Sequence, residues 1–172
     1  MTIALLKISG RYGTVGGILA FALMLVMYYT GPHPLLTSPF LDFRILLFGI
    51  FIFFTLKEFR DYHQGGILYF WQAMLGGLTV VLVASIITSL LLLIFGSYQQ
   101  TFVASYIEQI TVYIKSFPKE DIERIGRQTY DRNLRALPAT NIYDLAQTYF
   151  IQGMAIGFFV NIILSVTLRR QP

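Results

Sequence analysis

Phe70 to Phe95 reads FWQAMLGGLTVVLVASIITSLLLLIF, twenty-six residues without a charge. At about 1.5 Å per residue, a helix of this length reaches roughly 39 Å, more than the ~30 Å hydrocarbon core of a bilayer. One span needs only about 20 residues, so this uncharged stretch is long enough to cross. It reads as a membrane span, the third of four. No charge occurs anywhere from Tyr62 to Ile107, so the chain beyond Phe95 is expected to continue as helix along or beyond the interface.

Other apolar blocks lie on either side. Thr14 to Thr30 follows Lys7 and Arg11 and ends in Tyr28 and Tyr29, residues suited to the headgroup region. A basic start before an apolar centre also describes a signal peptide, but no small-x-small cleavage pattern follows, so we read a retained span. Ser38-Pro39 resembles an N-cap followed by proline at the first helical position, which predicts a second span over about 39–56. Asp42 in its first turn suits the helix dipole, and Arg44 is expected to snorkel outward. The fourth span is expected over about 145–168. It is announced by Asn141 with Asp144 three residues later, a capping-box pattern, and closed by Arg169-Arg170.

Between spans three and four, about 98–140, the pattern changes. Val103, Ile107, Ile110, Ile114 and Phe117 recur at spacings of three and four among polar residues, the mark of an amphipathic helix. Pro118, Glu120 and Asp121 read as a new helix start, and Leu137-Pro138 as its stop. The expected fold is all-α: an integral membrane four-helix bundle, one domain over 1–172, with an amphipathic helical extracytoplasmic loop.

Composition agrees. Of 172 residues 55% are hydrophobic and 13% charged, against about 25% charged in soluble domains. The net charge is +4, but the cations cluster at the ends of apolar blocks, so they read as orientation signals rather than a nucleic-acid surface. With four spans, Lys7, Arg11, Lys57, Arg60, Arg169 and Arg170 share one side, which places both termini in the cytoplasm. The absence of cysteine removes disulfides and thiolate chemistry.

In lipid, helices associate through close backbone approach and interhelical hydrogen bonds. Gly153, Gly157, Asn161 and Ser165 fall four residues apart as one small and polar stripe. Ala73, Gly77 and Ser85 form a similar face on the third span, with Val81 in the missing place. The first reading is packing inside the bundle. The second is a homodimer face or a substrate path. Catalytic, cofactor and metal sites are not expected. His33 and His63 fall on opposite membrane sides, and neither a nucleophile elbow nor a phosphate-binding glycine loop occurs. No Asp or Glu sits in the middle of an assigned span, which argues against a simple proton-coupled exporter. Only the turn holding Glu58 and His63 offers an acid and base for a lipid-directed enzyme.

The string Leu56-Lys57-Glu58-Phe59-Arg60-Asp61, then Gly65-Gly66, Phe70-Trp71-Gln72-Ala73 and Gly76-Gly77, continues through Ala84-Ser85 to Tyr106 and Ile107. It resembles domain of unknown function family 4199, small membrane proteins found mainly in Bacteroidota. The resemblance implies four spans, a long loop before the last and residence in the bacterial inner membrane. It transfers no active site. It also draws attention to the Arg60-Asp61 turn, where Arg60 either binds lipid phosphate or pairs with an acid and ends the span. The expected partners are membrane lipid and a second copy or another membrane protein. The expected function is that of a non-enzymatic structural or accessory subunit, the alternative a small oligomeric transporter or channel.

Overall fold

The computed structural model describes residues 2–38 and 41–170. Four long helices, α1 (Thr2–Thr30), α2 (Arg44–His63), α3 (Phe70–Tyr98) and α7 (Ile142–Leu168), carry the structure. Three shorter ones, α4 (Gln100–Lys115), α5 (Lys119–Ile125) and α6 (Arg127–Ala136), lie between α3 and α7. No strand occurs among the described residues. One isolated antiparallel bridge ties Leu68 to Arg170.

Three helices, α1, α3 and α7, are long and apolar enough to cross a membrane, and the protein is a multi-pass membrane protein. The second helix differs from its expected form. It begins at Arg44, not near residue 39, and runs through Lys57-Glu58-Phe59-Arg60-Asp61 to His63. The proposed first helical residue, Pro39, lies outside the described residues. The apolar part of α2, Ile45 to Leu56, is only twelve residues, about 18 Å of helix. Gly65 and Gly66 end it in a left-handed turn at φ 57° and 89°, a conformation that side chains with a Cβ avoid.

The helices α1, α2, α3 and α7 alternate in direction and pack on one another. At one end Arg11 donates to Glu58 at 2.6–2.8 Å, and Leu68 pairs with Arg170. At the other, the His33 amide donates to Gln109. The first end holds Lys7, Arg11, Lys57, Arg60, Arg169 and Arg170 against only Glu58 and Asp61. The remaining seven cations and seven acids cancel, so this end carries the whole net charge of +4.

Helix α1 starts at Thr2, well before the expected Thr14. Lys7 and Arg11 do not stop it, because Arg11 finds Glu58 and Tyr12 donates to the same carboxylate at 2.8 Å. Further along α1, Gly13 and Gly17 bring its backbone against Val80 and Ala84 of α3. Helix α7 begins with the expected capping box: Asn141 Oδ1 accepts from the Tyr143 and Asp144 amides, and Asp144 accepts from the Asn141 amide. The expected single helix after Pro118 is two helices, because Gly126 at φ 91° breaks the run between α5 and α6.

Candidate functional site

Along α7, Gly153, Gly157, Asn161 and Ser165 are all buried. Ala73, Gly77 and Ser85 on α3 are buried as well. The two faces meet residue by residue. Asn161 lies over Gly77, Val81 fills the notch at Gly157, and Ser85 faces Gly153, whose added Cβ would sit 2.9 Å from its hydroxyl. Asn161 Nδ2 donates to the Met74 carbonyl at 3.0 Å, and Ser165 donates to Asn161 Oδ1 at 3.2 Å.

The strongest polar centre was not visible as such in the sequence. Arg44 does not snorkel: it is 4% exposed, and Asp42 is 8% exposed. Arg44 Nε donates to both Asp42 carboxylate oxygens at 2.9 Å. Nη1 reaches the Tyr149 carbonyl at 2.9 Å and Nη2 the Gln152 side chain at 3.2 Å. The guanidinium also lies 4.0 Å over the Tyr149 ring. An unmatched charge buried here would cost several kcal/mol, so inward pairing replaces outward snorkelling. Gly153 lies beside it. A Cβ there would make ordinary contact with Arg44 Nη1 at 3.5 Å, the tight neighbour being the Ser85 hydroxyl. Asp42 has a second task, accepting from the Arg44 amide at 2.9 Å and satisfying one free donor at the start of α2. Asp42 stands just before α2 rather than in the middle of a long helix, and its buried charge is matched by Arg44. A small recess of about 110 Å³ bounded by Thr37, Asp42, Arg44 and Gln152 opens beside the pair.

The two histidines differ. His63 is exposed and stacks on Phe59 with centroids 6.1 Å apart. Glu58 is held by Arg11 and Tyr12, and no acid–base pair forms between Glu58 and His63 among the described residues. Arg60 donates to Asp61 at 2.8 Å in the last turn of α2. His33 is 1% exposed, wedged against Phe102 and Tyr106 of α4 with centroids 4.5 and 5.2 Å away. Its Nδ1 accepts from the Leu35 amide. Among the described residues, no group of three metal-ligating side chains occurs.

A family model, described as Protein of unknown function (DUF4199), matches residues 11–170. The chain belongs to that family. No curated protein and no solved structure matches it. Membership in the family carries no assigned chemistry to the Arg44 centre, so its role must be argued from the geometry.

Burial pushes the His33 imidazole down to about 4 from 6.5. Between those values the unfolded histidine binds a proton that the folded one refuses. The stabilisation is complete above pH 6.5 and is lost as pH falls towards 4. By pH 5 the loss is about 2 kcal/mol. Thermal midpoints in detergent should therefore fall from pH 7 to 5. His33→Asn, which keeps an acceptor for the Leu35 amide, should flatten that slope. Equal slopes in the two proteins would show that His33 does not govern it.

Proposed function

We propose that the protein is a non-enzymatic accessory subunit of a membrane assembly, with four spans, both termini cytoplasmic and residues 100–136 forming an arm that docks a partner outside. The observation that supports this reading is the outer surface of the arm, since α4 uses one face to cover His33 and leaves the rest of the arm unpacked. Helix α4 buries only Phe102, while α5 and α6 bury nothing. Val112, Tyr113 and Ile125 are 66%, 60% and 46% exposed. Apolar side chains left open on such an arm suit a surface that touches a partner.

Two features support the topology. The end with all the excess positive charge suits the cytoplasmic face. Arg44 and Asp42 are sheltered by α7, which lets the short α2 enter the bilayer without presenting either charge to lipid. A tag on the C-terminus should be reached by protease only after the cells are opened. Photocrosslinkers placed at Val112, Tyr113 and Ile125 should each give the same discrete protein adduct in intact cells. Adducts no different from those at Leu19, on the exposed face of α1, would remove the docking role.

A transporter or channel is the second reading. It rests on the buried polar groups Ser85, Ser89, Asn161 and Ser165 along α3 and α7. Val81 in the Gly157 notch favours packing over a path, since it divides Ser85 from Asn161 with an apolar plug. Cysteine placed at Gly157, Asn161 or Ser165 has no background thiol to compete with. Labelling there by a water-soluble thiol reagent would favour the path.

A further inference from the structure

Helix α2 turns one face inward to Arg44's partners and leaves another open to lipid. On that open face an apolar groove of about 470 Å³ runs between α2 and α7, lined by Leu46, Gly49, Ile50 and Phe53 facing Val160 and Ile163. Its floor is Gly49, where an added Cβ would meet nothing within 4 Å. A helix face normally carries side chains that close such a gap, and here the sequence leaves it open.

The groove has a charged mouth. At 100° per residue, Leu46, Ile50, Phe53 and Lys57 fall on one face, so Lys57 stands one turn beyond the groove and in line with it. Its ammonium lies 6.0 Å from the Phe53 ring centroid. Both acids nearby are engaged, Glu58 by Arg11 and Asp61 by Arg60. Among the described residues, no carboxylate forms a salt bridge with Lys57, and its charge acts on Asp61 only at longer range. A second recess of about 320 Å³, bordered by Tyr12, Lys57, Glu58, Asp61 and Tyr62, meets the groove at Phe54, which lines both; its two carboxylates are held by Arg11 and Arg60. This end of the molecule also holds the whole charge excess.

We propose that this groove is a binding site for one anionic phospholipid, with an acyl chain along Gly49 and the phosphate against Lys57. The match is of shape and charge together. An apolar trough open to the bilayer takes a chain, and a cation without a salt-bridge partner at its headgroup end takes a phosphate. The chain gains no hydrophobic transfer energy, because it is already in hydrocarbon. Selectivity must therefore come from the headgroup, roughly fivefold for one cation at the surface.

Native mass spectrometry of the full chain in detergent tests this with dioleoyl phosphatidylglycerol against dioleoyl phosphatidylcholine. One phosphatidylglycerol should be retained about fivefold in preference. Lys57→Gln should abolish the preference while leaving neutral lipid bound. Gly49→Phe should remove the bound lipid of both kinds. Ile163→Trp, which fills the trough from the opposite wall, guards against a folding defect in either variant. Leu19→Phe on the exposed face of α1 should change nothing. Retention of several lipids without preference, or retention untouched by both filling variants, means ordinary annular lipid and overturns the site. A dimer mass lost in Gly49→Phe, with no lipid preference, would assign the groove to a second copy instead.

Discussion

Arg44→Met should lower the stability of the folded protein by about 3–5 kcal/mol, read as a large fall in the thermal midpoint in detergent. The substitution leaves the Asp42 carboxylate 8% exposed and without its guanidinium. It also removes the donors to the Tyr149 carbonyl and Gln152 and the cation over the Tyr149 ring. Most of the cost is the stranded charge, not the value of the pair itself. The double variant Asp42→Leu with Arg44→Met should therefore recover much of the loss, since apolar groups of similar volume often replace a buried ion pair at little cost. A mild effect of Arg44→Met would mean that the carboxylate reaches water and that the pair is not sealed by α7.

Gly77→Ala should cost about 2–3 kcal/mol, within the range for overpacking a tight interface. A Cβ at Gly77 would overlap the Asn161 carboxamide, with the Ile52 side chain 3.1 Å away leaving little room for relief. The clash is with a side chain that is itself fixed, by the Met74 carbonyl and Ser165. Asn161→Leu alone should also lower the midpoint, because it removes an interhelical hydrogen bond of about 0.6–2 kcal/mol and presses a branched chain onto Gly77. Combining Gly77→Ala with Asn161→Ala should restore part of the loss from Gly77→Ala, the signature of two residues sharing one space. Additive losses would show that the two do not meet.

Much of this interface could be read from the chain. A stripe of Gly153, Gly157, Asn161 and Ser165 at intervals of four must occupy one helix face, because helical geometry leaves no alternative. The capping of α7 by Asn141 and Asp144 was equally legible, since both partners lie within one turn. That it would face the other small-residue stripes was the first expectation, but its register against them was not legible. That Val81 enters the Gly157 notch depends on the register of α3 against α7, which local spacing does not encode.

The Asp42–Arg44 centre shows the other limit. Two charges before an apolar run look like an interfacial pair in any linear reading, and snorkelling is the cheap solution for an isolated helix. The alternative exists only because the Tyr149 carbonyl and Gln152 of α7, more than a hundred residues away, stand beside the guanidinium. His33 is a similar case, a loop residue made into core by α4 folding back over it.

By itself the sequence determined that the chain is helical, that lipid is its solvent and which helix faces carry small and polar groups. These follow from length, apolar content and a period of 3.6, all properties of a segment considered alone. The tertiary structure decided where the buried charges are satisfied, how far α2 extends and that a groove opens beside Lys57. Each of those requires two segments distant in sequence to be held side by side, and only packing fixes that distance.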